Sequence, residues 1–188
     1  MEAVARRAGV SRMTVYNQFR SESGLLEALA DHLAARGGMA RMPEIFAAPD
    51  PAEAVRRFVT IFTEFWASER VLMRRLRAFG VLHPQLYQAL RNRDDWRRSA
   101  AEHVVARLRP EEIGGFDRAD AADFLTAVSS FETFDSLSSH GRAPEEVAGL
   151  LTRSVLSAWG LSAAARASTR RSASPLPRRG SVRGKPPS

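Results

Sequence analysis

The sequence predicts an all-α protein, and three observations carry this prediction. Apolar residues recur every three or four positions through most of the chain, most clearly over residues 51–68, as they do in helices that face a core. No segment alternates apolar and polar residues, as a half-buried strand would. Glycines and prolines such as Gly37, Gly38, Pro84 and Pro110 mark the ends of the periodic segments, where a helix stops.

Three short helices are predicted at the start of the chain. Gly9 suits a helix C-cap, Ser11 suits the N-cap of a second helix over 12–19, and Ser21 or Ser23 can cap a third. A proline-rich linker follows, and then a run of longer helices. Their predicted bounds are 51–68, a second segment that stops near residue 80, one or two helices over 84–109, and a final pair at about 118–139 and 144–163.

Composition and charge exclude several classes of protein. The chain has 188 residues, 44% of them apolar, and no cysteine, which excludes disulfides and thiolate chemistry. Its net charge of +7 lies in residues 166–188, which hold six Arg, one Lys and no acid, so the rest of the chain is electrically balanced. This tail is predicted to be disordered. With no signal peptide and no apolar run long enough to span a membrane, a cytoplasmic location is expected.

The segment "VARRAGVSRMTVYNQFRSESGLLEAL" carries the most specific signal in the chain. It spells helix, glycine-containing turn, helix and supporting helix, which is the helix-turn-helix arrangement. It resembles the N-terminal signature of the TetR family of transcriptional repressors. The matching residues are Ala5, Ala8, Gly9, Val10, Ser11, Thr14, Tyr16, Phe19, Leu25 and Leu26. The resemblance implies a DNA-binding domain over 1–38, a helical ligand-binding and dimerisation domain over 39–165, and the tail over 166–188.

The resemblance also implies which side chains meet DNA. Arg12, Met13 and Thr14 would face base edges, Arg12 pairing with guanine and the other two touching a thymine methyl. The remaining side chains would serve phosphates or neighbouring bases. The predicted DNA-binding residues are Ser11, Arg12, Met13, Thr14, Tyr16, Asn17, Gln18 and Arg20. The alternative is that Tyr16 is a core residue and that Asn17 and Gln18 form a solvated face.

Two departures from the family pattern affect this head. The family has one more helix before the segment, so the sequence predicts an incomplete head, from a start site placed too far downstream or from a truncated product. In addition, Glu22 stands where the family commonly has a phosphate-binding lysine. Arg20 is the nearby candidate to replace that contact.

A small hydrophobic effector is expected among the aromatic side chains of the second domain, as the resemblance implies. The candidate ligand-binding residues are Phe62, Trp66, Leu76, Phe79, His83, Tyr87, His103 and Phe131. The alternative is that these residues are ordinary core. The last two predicted helices would pair with those of a second copy to form a homodimer, which a palindromic operator in double-stranded DNA requires.

Catalysis is not expected, because nucleophile elbows, phosphate-binding loops and dinucleotide fingerprints are absent from the sequence and the four histidines are scattered. No catalytic residue, cofactor or metal ligand is predicted. The function expected is a ligand-responsive DNA-binding regulator, most simply a repressor released from its operator by a small molecule. The alternative is a ligand-sensing dimerisation protein that no longer binds DNA specifically.

Overall fold

The computed structural model describes residues 1–161, and within them the fold is all-α, as predicted. This part of the chain contains ten α-helices and two short 3₁₀ turns, Met39–Arg41 and Pro110–Glu112. The helices are α1 (Glu2–Ala8), α2 (Arg12–Phe19), α3 (Glu22–Arg36), α4 (Met42–Phe46), α5 (Pro51–Ser68), α6 (Arg70–Gly80), α7 (Pro84–Ala106), α8 (Arg118–Val128), α9 (Phe131–Ser139) and α10 (Pro144–Ala158). The predicted tail at 166–188 lies outside the described residues.

Helices α1 to α3, here called the head, begin and end where local signals place them. Gly9 ends α1 with a φ of 67°, a left-handed conformation that glycine adopts without steric cost. Ser11 caps α2, its Oγ accepting a hydrogen bond from the Thr14 amide at 3.0 Å. Ser21, rather than Ser23, caps α3 in the same way through the Gly24 amide.

The predicted linker after α3 is wrong in one respect, because most of it is helical. A 3₁₀ turn leads into α4, whose first helical turn accommodates Pro43. Met42 and Ile45 of α4 are buried in the core. The Arg107 guanidinium binds the end of α4 by donating to the carbonyls of Ile45 and Ala48 at 3.1 and 2.6 Å. Burial of two apolar side chains and this cap explain why a proline-containing segment is ordered as a helix here.

Helices α4 to α10 are here called the body, which packs around helix α5. Its stripe of apolar side chains is buried as predicted, with Val55, Phe58 and Val59 fully inaccessible to solvent. Helix α10 packs along α5, and its Val147 and Val155 are likewise fully buried. Residues 84–106 form one continuous helix, α7, which contacts both α6 and α8.

The last predicted pair of helices is three helices in the structure. The segment 118–139 is broken at residues 129–130, where Ser129 is buried and Ser130 caps α9 through the Thr133 amide. The break frees the Ser129 carbonyl, which accepts a hydrogen bond from Trp66 Nε1 at 2.9 Å. Helix α10 ends at Ala158, short of the predicted residue 163, and Gly160 follows with a positive φ.

Candidate nucleic-acid interface and cavity

Helix α2 presents a nearly continuous solvent-facing surface. Only Val15 is buried and Phe19 is half-buried, while every other residue of the helix is exposed. Two of the exposed side chains are large and apolar: Met13 is 64% and Tyr16 58% accessible. All eight predicted DNA-binding residues are therefore accessible.

The first turn of α2 is held by a pair of hydroxyl groups. Ser11 Oγ lies 2.8 Å from Thr14 Oγ1 and also accepts from the Thr14 amide. These bonds fix the N-terminal turn of the helix, from which Arg12 and Met13 extend into solvent. The N-terminal turn is the part of a recognition helix that meets base edges.

The turn between α2 and α3 is tight and contains an unusual backbone conformation. Arg20 has φ 61° and ψ −37°, and it is the single non-glycine residue with positive φ that the structure records over residues 1–161. Its amide donates to the Tyr16 carbonyl at 2.7 Å. Four residues later, a Cβ built on Gly24 would lie 2.2 Å from the Phe19 carbonyl oxygen. The absence of a side chain at Gly24 is what allows α3 to start this close to α2.

Residues 1–29 match the family model of bacterial regulatory proteins of the tetR family. The head therefore carries a DNA-binding segment of the TetR type. The match spans α1, α2 and the first half of α3, and so includes all eight predicted DNA-binding positions. Searches of curated proteins and of solved structures gave no match. The TetR assignment therefore rests on the head and on the all-α fold behind it.

One position sharpens the difference between this TetR head and the family pattern. Glu22 is exposed in the first turn of α3. A carboxylate there stabilises the helix start, since the amino-terminal end of a helix carries a partial positive charge. The same carboxylate repels a DNA phosphate. The exposed Arg20 side chain, two residues earlier, is thus the nearest basic group that can make a phosphate contact at this end of α2.

Behind the head lies a cavity of about 260 Å³, lined by α3, α5, α6 and α7 together with Met39 and Met42. Apolar side chains line most of it. Helix α3 contributes Leu26, Leu29, Ala30, Leu33 and Ala34, and the opposite wall includes Phe62, Phe65, Trp66, Met73, Leu86 and Leu90. Its volume is slightly below the range of about 300–1,000 Å³ that is usual for ligand pockets, so a ligand of this cavity would be small.

The predicted ligand-binding residues divide into two groups. Phe62, Trp66 and Leu76 line this cavity. The remaining five do not: Phe79, His83, Tyr87, His103 and Phe131.

Those five residues lie on the surface or behind the cavity wall. Phe79 and His83 stack on each other at 3.9 Å on the exposed corner between α6 and α7, and Tyr87 is 53% accessible nearby. His103 borders a separate surface depression beside Phe46. Phe131 is buried behind Trp66, with ring centroids 5.7 Å apart, and supports the cavity wall. A histidine as the polar anchor of a ligand in this cavity is therefore not supported.

The polar groups at this cavity are arginines and an aspartate, which the sequence did not single out. Arg77 of α6 pairs with Asp94 of α7 through two hydrogen bonds, NH1 to Oδ2 at 2.7 Å and NH2 to Oδ1 at 2.9 Å. Arg97 lies 3.3 Å from the same carboxylate. The spacing of Asp94 and Arg97 on one helical face was the signal available. Nothing in the sequence indicated that Arg77 would meet them.

The two arginines differ in how far their charge is compensated. Burial lowers the pKa of Arg77, but the hydrogen bonds and charge of Asp94 outweigh it and raise the pKa above its ordinary value. For Arg97, burial is the largest influence and leaves the pKa below its ordinary value despite Asp94. Arg97 also donates to the Thr126 carbonyl at 2.7 Å, near the end of α8. Both guanidinium groups remain charged at neutral pH.

Proposed function

We propose that this TetR-family regulator is a cytoplasmic repressor that leaves its operator when a small, largely apolar molecule enters the cavity. The observation that carries the proposal is the position of α3. This helix follows the recognition helix α2 after a turn of two residues, and five of its side chains form one wall of the cavity. A molecule in the cavity would touch the head directly, so that occupancy and head position are coupled.

The head is attached to the body in a way that supports such coupling. Beyond the apolar contacts of α3, two ion pairs join the regions: Arg93 to Asp31 at 2.6 Å and Arg36 to Glu69 at 3.6 Å. Arg93 and Asp31 are both exposed, and an exposed ion pair contributes at most about 1 kcal/mol. Glu69 is buried, but Arg36 is exposed and the two groups are 3.6 Å apart. The position of the head therefore depends mainly on how α3 fits the cavity wall.

Operator contact would come from the exposed surface of α2 that carries Arg12, Met13, Thr14, Asn17 and Gln18. Fluorescence anisotropy of the chain with duplex DNA from beside its own gene, against scrambled duplex, tests this at low and moderate salt. Binding that favours the native duplex at both salts supports the repressor. Equal binding to both duplexes that disappears at moderate salt would be an electrostatic contact alone. That result would favour the alternative, a sensor that no longer binds DNA specifically.

Coupling can be tested without knowing the effector, by filling the cavity from the α3 side. Ala34 lines the cavity, while its neighbour Ala35 is exposed on the same helix. We expect Ala34→Leu to weaken operator binding about tenfold, within the usual range of coupling energies, because the added volume displaces α3. Ala35→Leu adds the same volume in solvent and should leave binding unchanged. Equal operator affinities of the two variants would contradict the proposal.

A homodimer is part of the proposal, because a palindromic operator is bound by two copies related by a twofold axis. The predicted interface, 118–139 and 144–163, corresponds to α8, α9 and α10 in the described residues. Phe124 and Val128 of α8 and Leu150 of α10 are only half-buried, which leaves apolar surface on these helices for a second copy. Analytical ultracentrifugation of the full chain at micromolar concentration tests this, and a monomer would contradict it.

A further inference from the structure

We propose that the cavity selects an effector with an anionic head group of the carboxylate type, bound by Arg77 and Arg97, and an apolar body lying against Phe62 and Trp66. The proposal rests on the cavity being the effector site. It adds the chemical class of the effector, which neither the family match nor the cavity's size supplies.

The charged side chains that line the cavity are mostly cationic. Arg77, Arg93 and Arg97 all contribute to the lining, whereas Asp94 is the one acidic residue that does so. Arg93 is paired outside, with Asp31. Glu132 lies 3.4 Å from Arg77 Nε, but its side chain is 62% accessible and its charge is screened by water. Two guanidinium groups that line the cavity, those of Arg77 and Arg97, therefore share the carboxylate of Asp94.

The guanidinium groups at the cavity do not use all of their hydrogen-bond donors. Arg97 is 5% accessible, and its Nε has no hydrogen-bond partner, while the buried Nε of Arg77 has only the ion pair with exposed Glu132. A buried charged donor without a partner is costly, so native structures seldom retain one without a reason. A guanidinium group matches the planar geometry of a carboxylate, and those of Arg77 and Arg97 both line this apolar cavity.

Arg97 also stabilises the surrounding fold, so it is not the residue to substitute in a test. Its NH1 donates to the Thr126 carbonyl, and its guanidinium carbon lies 6.0 Å from the Phe62 ring centroid. Replacing Arg97 would disturb the end of α8 as well as the cavity. Arg77 is the better test, because its side chain is 24% accessible and its hydrogen bonds are confined to Asp94. Arg75, on the same helix and exposed, serves as the matched control.

The probes are 4-phenylbutyrate, 4-phenylbutanol and 4-phenylbutylamine, which share one apolar body and differ in head group. Their binding to the full chain is measured by titration calorimetry. We expect the carboxylate to bind at least about tenfold more tightly than the alcohol, and the ammonium most weakly. Arg77→Gln should reduce carboxylate affinity to that of the alcohol and leave the alcohol unchanged. Arg77→Lys, which keeps the charge but not the bidentate geometry, should be intermediate, and Arg75→Gln should have no effect.

The outcomes separate the head-group proposal from the function on which it rests. Equal affinity for all three probes, or preference for the amine, overturns carboxylate selection while leaving the cavity as a ligand site. Absence of binding by all three also overturns it. In each case the operator affinities of Ala34→Leu and Ala35→Leu still judge the coupling of cavity and head independently. A thermal melt of each arginine variant, with its helical content by circular dichroism, establishes that a loss of binding is not a loss of folding.

Discussion

The head and the body differ in how many side chains they bury. In the head, the side chains that are fully buried are Ala5, Val15 and Leu33, and the last of these belongs to the part of α3 that faces the body. In the body, α5 alone buries nine side chains, among them Phe58 and Trp66. Val4 and Val10 of the head remain 42% and 43% accessible. Local stability follows buried apolar contact, so the head is the part of the described chain that opens most easily.

This difference suits a regulator of the TetR type. A body with a dense core holds α5, α6 and α7 in place around the cavity. A head with few buried side chains changes position at lower cost. The connection between them is α3, which supplies the supporting helix of the head and one wall of the cavity. Small residues at Ala30 and Ala34 on that wall leave room that a ligand would fill. In the function that we propose, the fit of α3 against the cavity, and not a strong interface, therefore sets the position of the head.

The largest effect that separates the two regions should come from truncating an aromatic side chain in the body. Phe58 is 0% accessible, and Phe58→Ala is expected to lower the free energy of unfolding by about 3–5 kcal/mol, because it leaves a cavity in a packed core. Val4→Ala in the head should change it by no more than about 0.5 kcal/mol. Urea unfolding followed by circular dichroism measures both. A loss above about 1 kcal/mol for Val4→Ala would indicate that another surface covers the head.

The next largest loss of stability is expected in the head, and it comes from comparing two glycines, Gly24 in the head and Gly149 in the body. A Cβ at Gly24 would lie 2.2 Å from the Phe19 carbonyl oxygen, whereas at Gly149 in α10 it would meet the flexible end of Arg153 at 3.3 Å. Gly24→Ala should cost about 1–3 kcal/mol through overpacking, confined to α2 and α3. Gly149→Ala should be neutral or stabilise α10 by up to about 1 kcal/mol. Hydrogen exchange measured region by region distinguishes a local from a global loss.

The same pair tests how the head contributes to function. If Gly24→Ala forces α3 away from α2, operator affinity should fall while the melting of the body stays the same. Gly149→Ala should leave operator affinity unchanged. Equal protection of the α2 and α3 amides in the wild type and in Gly24→Ala would show that the close approach is relieved without cost, and the view of the head as a tightly joined but weakly buried unit would need revision.

Sequence signals located the head well because they act over a few residues. Gly9, Ser11 and Ser21 end or cap helices through hydrogen bonds to their immediate neighbours, and those bonds are present in the structure. The stripe on α5 was equally readable, since a wide apolar face of regular period has to be buried. These parts of the fold depend on local geometry and on periodicity, both of which the sequence displays directly.

Tertiary contacts decided what the sequence could not predict. The break at residues 129–130 is stabilised by the Trp66 hydrogen bond to the Ser129 carbonyl, across 63 positions of the chain. Phe79 continues the apolar period of α6, but α6 ends at Gly80, so the side chain lies on an exposed corner instead of in the cavity. The pairing of Arg77 with Asp94 depends on how α6 packs on α7. Apolar period alone does not specify which neighbour covers a given turn.

The smallest effect expected concerns the backbone of the head at Arg20. A residue with a side chain that is held in a sparsely populated backbone region costs about 1–3 kcal/mol, and Arg20 has φ 61° and ψ −37°. Arg20→Gly removes that cost, but glycine also gains freedom in the unfolded chain. We therefore expect a net gain in the free energy of unfolding of no more than about 1 kcal/mol. Chemical denaturation followed at the head, by hydrogen exchange of α2 amides, is the measurement with the required sensitivity.

A contact between the Arg20 side chain and DNA would offset the backbone strain at this residue. If Arg20 meets a phosphate, Arg20→Gly should stabilise the head and yet weaken DNA binding at every sequence, with the salt dependence of the binding constant falling by about one charge. Arg20→Asn separates the two effects, since asparagine tolerates positive φ and carries no charge. It should lose the same DNA affinity as glycine. Unchanged DNA affinity in both variants would leave the strain without a function and would weaken the case that Arg20 replaces the basic contact that Glu22 cannot make.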